Sequence, residues 1–244
     1  MKIFSAFLPL LVVSSLAVAA TDTERTVLPV QFAKGSSAAQ IKGSIKGDHY
    51  VDYQLQASAG QTLKVSLQAG NGQNYFNVLA PHRQDEAMYV GSSDDNQFEG
   101  VLPVDGVYQV RVYLMRAAAR RNEVSNYALE LAVTGKALAP LPEAQDAHIP
   151  GTPYHAQASI KCQPSYSELN QCQASVIRRG VDGTATVDLS WGNSGKRSIL
   201  FVKGQPVAAD VVMPFTFTKQ ADSNLITFEG DERFTIPDAL IFGG

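Results

Sequence analysis

The chain has 244 residues, enough for one large or two small domains, and a 45% apolar content supplies material for sizeable cores. Its formal net charge of −3 argues against nucleic acid, which calls for a basic face. The four histidines fall in no zinc-type spacing, and no metal or cofactor is expected.

Residues 1–20 read as a secretory signal peptide. Lys2 supplies the positive start, "IFSAFLPLLVVSSLAV" the apolar stretch, and "AVAAT" the small residues for cleavage after Ala19 or Ala20. No later stretch is apolar enough to span a bilayer, so the mature chain is expected to be soluble and either periplasmic or secreted.

From Val27 to Val133 short alternating runs are separated by Gly, Asp, Asn or Pro. "TVLPVQFA" comes first. In "AQIKGSIKG", Ile41 and Ile45 point one way while Lys42 and Lys46 point the other. "YVDYQLQAS" and "TLKVSLQA" flank an "AGQ" turn. "NYFNVLAP", "AMYVGSS", "NQFEGVLP", "VYQVRVYLM" and "NYALELAVTG" follow. Period-2 patterning at this spacing predicts an antiparallel β-sandwich or barrel. The stretch 136–153 is proline-rich and reads as a linker or irregular strap between 27–135 and 154–244.

The last part is also β, giving an all-β chain with a smaller, disulfide-containing second domain. "HAQASIKCQ", "QASVIRRG", "TATVDLSW", "RSILFVKG", "PFTFTK", "LITFEG" and "ERFTIPD" are its runs, with "GNSGK" as a hairpin turn. In an exported chain, Cys162 and Cys172 at this spacing predict a disulfide.

Enzymatic constellations do not emerge, and the chain is not expected to be an enzyme. Glu229, Asp231 and Glu232 have the residue types of a glycosidase pair but fit a solvated turn better. Asp94 and Asp95 lack calcium-loop spacing and suit plain turn chemistry. Arg178, Arg179, Lys196 and Arg197 suggest either a second basic surface or edge charges that deter aggregation.

"VYLMRAAARRNE" breaks the strand pattern. Arg116 and Arg120 are four apart, and the three alanines between them favour one helical turn with both on one face. Like charges there repel unless anions come. On residue chemistry alone, internal carboxylates or solvent account for these arginines better than a partner does.

The order and spacing of "FAKGSSAAQIKGSIKG", "YVDYQLQASAGQTLKVSL" and "LPVDGVYQVRVYLMRAAARRNEVSNYALEL" resemble the family of periplasmic inhibitors of g-type lysozyme over about residues 27–133. The most specific block is Gly106, Tyr108, Arg111, Val112, Arg116, Ala119, Arg120, Arg121 and Asn122. The resemblance implies a β-sandwich whose loops enter the cleft of a g-type lysozyme or other muramidase. It implies Arg116, Arg120 and Tyr50 as contacts, with Arg121 and Ser36 as secondary candidates and Tyr53 as a packing residue. The C-terminal half resembles a domain of uncharacterised bacterial exported proteins, which implies no role. The alternative is an envelope-binding module for glycan or peptidoglycan using Tyr75, Phe76 and Tyr89, although these residues suit a sandwich core better.

Overall fold

The computed structural model describes residues 24–83 and 86–243; the leader expected over 1–20 lies outside them. The N-terminal half contains β1 (Arg25–Pro29), β2 (Ala38–Lys46), β3 (Tyr50–Ala57), β4 (Thr62–Ala69), β5 (Asn74–Leu79), β6 (Tyr89–Val90), β7 (Gln97–Val101), β8 (Gly106–Leu114), α1 (Arg116–Arg120) and β9 (Val124–Thr134). They form two sheets, ordered β1-β3-β8-β5-β6 and β2-β9-β4-β7.

The alternation read from the sequence explains the core. Val51, Tyr53 and Leu55 of β3 turn inward with Val110 and Val112 of β8 and Phe76 and Val78 of β5. From the other sheet they meet Leu63, Val65, Leu129 and Leu131. Burying side chains of this size contributes roughly 1.5–3 kcal/mol each. Ile45 is buried while Lys42 and Lys46 are exposed, as their alternation requires. One pairing departs from an antiparallel sandwich: β1 runs parallel to β3, with Arg25 opposite Tyr50. Its five residues come from the chain start and return to β2 through the long loop at 30–37, which permits the parallel direction.

Because the strands run up and down, the loops gather at two ends. Residues 47–49, 70–73, 91–96 and 115–123 form one end, here called the tip. Residues 30–37, 58–61, 80–83, 86–88 and 102–105 belong to the other, the base.

The C-terminal half contains β10 (Ala156–Gln163), β11 (Gln171–Arg178), β12 (Ala185–Trp191), β13 (Gly195–Val202), β14 (Gln205–Ala209), β15 (Phe215–Gln220), β16 (Ser223–Phe228), β17 (Arg233–Pro237) and α2 (Asp238–Phe242). These strands make one curved eight-stranded sheet, ordered β14-β13-β12-β11-β10-β17-β16-β15. Its core collects Val187, Ile199, Phe201, Ile226, Phe228 and Phe234, with Leu240 and Ile241 of α2. Cys162 and Cys172 join β10 to β11 with Cα atoms 5.8 Å apart. Closing so short a loop stabilises by roughly 2–3 kcal/mol. β14 and α2 carried no clear sequence signal; Pro206 interrupts the β pattern of the first.

Residues 136–153 contain neither strand nor helix, yet they are held on both sides. The Leu138 amide donates to the Ala59 carbonyl at 2.9 Å, and the Leu141 amide donates to the Arg178 carbonyl at 2.8 Å. The Leu138 side chain fills the space a Cβ would need at Gly60, whose φ is +81. Among the described residues, no helix is long and apolar enough to cross a membrane.

Candidate functional site

Three of the four tip segments are held in place by backbone hydrogen bonds. The Gly47 amide donates to the Glu123 carbonyl at 3.0 Å, the Gly70 amide to Asn126 at 2.8 Å, and the Met115 amide to Gln73 at 2.9 Å. Gly47 sits at positive φ with the Asn122 side chain where a Cβ would be, so the loop after β2 can approach residues 115–123, the arginine finger, only as glycine.

"RAAAR" folds as the expected helical turn, α1. Five residues cannot sustain a helix alone. Ala118 and Ala119 supply the anchor, because both are buried in the sandwich core. With that face inside, Arg116 and Arg120 project as exposed residues. Among the described residues, neither has a carboxylate within 4 Å or a side-chain hydrogen bond, whereas every other arginine pairs with Asp or Glu. Residue chemistry favoured internal carboxylates or solvent for these two; the internal carboxylates are not there, and both side chains face solvent.

Tyr50 opens β3 beside the finger. The Arg111 guanidinium lies 4.6 Å from its ring centroid, a cation–π arrangement. Arg111 in turn donates to Asp52 from Nε at 2.7 Å and from Nη2 at 3.0 Å. Arg25 Nε donates to the same carboxylate at 2.9 Å. Donating to the Asp52 carboxylate makes Arg111 hold its proton more tightly than usual. Asp52 is fully buried beneath its two partners, so Tyr50 rests on a fixed platform. The sequence displayed each of these residues but not their meeting, which depends on the β3–β8 register placing Asp52 opposite Arg111.

The remaining candidates separate. Arg121 is exposed and paired with Glu123 at 2.7 Å. Ser36 belongs to the loop before β2 at the base, where Ser36 Oγ donates to the Ala38 carbonyl; the fold does not bring it to the arginines. Tyr53 is a core residue whose hydroxyl meets Tyr127 at 2.7 Å, and burial pushes both phenols up.

The rival sites resolve as structural groups. Phe76 and Tyr89 are buried and stacked at 5.0 Å, which removes them from a glycan platform; Tyr75 stays half-exposed. Glu232 is buried and accepts from Arg197 Nε at 2.8 Å, so that turn is not a pair of free acids. The second basic surface does not form, because Arg178, Arg179 and Arg197 are buried. Arg178 pairs with Asp146 at 2.8 Å. Arg179 reaches across to the base of the first half, donating to Asp105 at 2.7 Å and to the Leu138 carbonyl at 2.5 Å. Among the described residues, no group of three or more His, Cys, Asp or Glu is arranged to hold a metal ion.

No family model matches the chain. Over 106 residues it is 32% identical to the inhibitor of g-type lysozyme of Escherichia coli strain K12, covering 43% of this chain and 78% of that protein. It is also similar to the solved structure of Aeromonas hydrophila PliG, a periplasmic lysozyme inhibitor of g-type lysozyme. There the identity is 42% and the TM-score 0.43, over 46% of this chain and 98% of that one. For the PliG of Salmonella Typhimurium the values are 29% and 0.37, over 44% and 97%. The matched part is the N-terminal half, and the C-terminal half lies outside these matches.

Proposed function

The chain belongs, through its N-terminal half, to the family of inhibitors of g-type lysozyme, and from that premise we propose that it is an exported protein that blocks the cleft of a g-type lysozyme or related muramidase. Arg116, Arg120 and Tyr50 are its contact residues in this reading, and it performs no chemistry of its own. The leader read from residues 1–20 and the periplasmic relatives support a location in the periplasm or outside the cell.

One observation carries the reading. Arg116 and Arg120 are exposed, side by side on α1, and without a carboxylate partner among the described residues. Enzymes that cut glycosidic bonds work through carboxyl groups in a cleft. A guanidinium set on such a carboxylate forms a short charge-assisted pair, roughly twice as strong as a neutral hydrogen bond. Substrate is then excluded by occupation. Arginine and tyrosine are the residue types that dominate binding when desolvated at the centre of an interface.

The test is lysis of cell-wall substrate by g-type lysozyme, with and without the full mature chain. Protection is expected, and the Arg116→Ala/Arg120→Ala variant should lose about 100-fold or more of it while melting at the same temperature. An absence of protection at micromolar excess, or a double variant as potent as the parent, would sink the proposal.

A further inference from the structure

The outer face of the β1-β3-β8-β5-β6 sheet carries something the finger does not explain. Val51 is paired with Val112, so by the antiparallel register Tyr50, one position earlier, falls opposite Tyr113. Tyr113 is paired in turn with Tyr75 of β5. Residues opposite one another on neighbouring strands share a face. Three tyrosines therefore cross three adjacent strands in one row at the tip end of the sheet, with Tyr50 also touching the edge of the core. All three are half-exposed. Met115, two positions after Tyr113 and 37% exposed, continues the row toward Arg116.

The rings are fixed before any partner arrives. Tyr113 Oη donates to Asn77 Oδ1 at 3.2 Å. Tyr75 Oη donates to the Gly72 carbonyl at 3.3 Å. The two ring centroids are 6.5 Å apart, tilted against each other, and Tyr50 is held by Arg111. With the hydroxyls of Tyr75 and Tyr113 engaged within the chain, what these two residues offer outward is ring surface. Aromatic side chains with few rotors, pre-set in place, lose little entropy on binding. Tyr, Met and Arg are also the types enriched at the cores of protein–protein interfaces.

We propose that Tyr75, Tyr113 and Met115 extend the inhibitory surface from α1 onto the sheet, packing against the wall of the muramidase cleft whose carboxylates take Arg116 and Arg120. This inference rests on the inhibitor reading. The occupant follows from continuity with the unpaired arginines: a partner that seats them on its acids must lie against the row beside them. A cleft built to bind sugar rings has flat apolar patches, and tyrosine rings fit these without needing their hydroxyls. The arginines then speed capture through long-range charge and hold the partner through their ion pairs, whereas the rings act on how long it stays.

The experiment is binding kinetics of full-length variants to g-type lysozyme at two salt concentrations, with melting curves alongside. Tyr75→Ala and Tyr113→Ala should each raise the dissociation rate about tenfold, the scale of a single interface residue, with little change in the salt dependence of association. Tyr75→Phe and Tyr113→Phe should stay within about twofold, because the hydroxyls face inward partners. If an alanine variant melts early, Tyr113→Leu and Tyr75→Leu, which keep apolar bulk without the flat ring, should show the same fast dissociation at parental stability. Parental dissociation rates in the alanine and leucine variants, with inhibition still lost in Arg116→Ala/Arg120→Ala, would overturn the extended surface and leave the inhibitor reading standing. A parent chain that does not bind the enzyme overturns both. Retention of the parent on insoluble peptidoglycan, lost in the tyrosine variants while inhibition is untouched, would assign the row to glycan and overturn the proposal.

Discussion

The tip and the base of the N-terminal sandwich treat the same side chain in opposite ways. At the base, Arg83 and Arg197 come from different halves of the chain, and both approach the carboxylates of Glu86 and Asp210. Arg179 crosses the same junction to Asp105. At the tip, Arg116 and Arg120 are solvent-facing and unpaired among the described residues. Buried guanidinium groups without partners would cost several kcal/mol, so the base arginines are tied to the fold. The tip arginines owe the fold nothing, which leaves them available to a partner. A cluster of basic residues has no meaning until its carboxylates are located.

Removing a base arginine should cost the fold far more than removing a tip arginine. Arg197→Ala strands the Glu232 carboxylate, 3% exposed, and is expected to lose about 3–5 kcal/mol of stability. Replacing both partners, Arg197→Met with Glu232→Leu, should recover most of that loss in a denaturant titration. An Arg197→Ala chain as stable as the parent would show that the pair is idle.

Asp52 tests the boundary between the two roles. It is buried like a base carboxylate, but its partners Arg25 and Arg111 are about a quarter exposed, which discounts the loss through solvent screening. Asp52→Asn is expected to cost about 1–2 kcal/mol. Because Arg111 then loses its anchor under Tyr50, inhibition should weaken as well. Unchanged inhibition with lowered stability would make Asp52 a fold residue only.

A smaller effect should appear with pH at the base. Burial pushes Asp210 up from 3.8 to about 6, against the pull of Arg83 and Arg197. The folded chain therefore binds this proton more tightly than the unfolded chain does. The stability it contributes is full below about 3.8 and is lost as pH rises through about 6. Between pH 7 and pH 5 the gain from this group is about 1 kcal/mol. It should show as a rise in melting temperature that is flatter in Asp210→Asn, while the affinity of the tip arginines for their partner is not tied to this proton.

How much of this was legible differs by element. The strand alternation of β3, β4 and β8 follows directly from side chains that must face either core or water. The turn at "RAAAR" was readable because its three alanines favour helix and two of them are small enough to bury. The parallel direction of β1 was not, since five alternating residues look alike in either direction. The roles of Arg178, Arg179 and Arg197 were hidden because their partners lie far along the chain; Arg197 and Glu86 are 111 positions apart. The Asp52–Arg111–Tyr50 platform and the tyrosine row need a register, and register is a property of two strands together.

Arg121 gives the finest test, because it sits beside Arg120 yet follows the other rule. Its guanidinium is 59% exposed and paired with Glu123. An exposed pair of this kind contributes about 0–1 kcal/mol, so Arg121→Ala should leave the melting curve within about 0.5 kcal/mol of the parent. Arg116→Ala and Arg120→Ala should do the same, for lack of any partner to lose. Inhibition is where the three part. Glu123 already neutralises Arg121, so its removal should reduce inhibition by less than about threefold, against tenfold or more for either neighbour. Equal losses for all three would mean that the tip acts through its summed charge, and the unpaired state of Arg116 and Arg120 would then have no special weight.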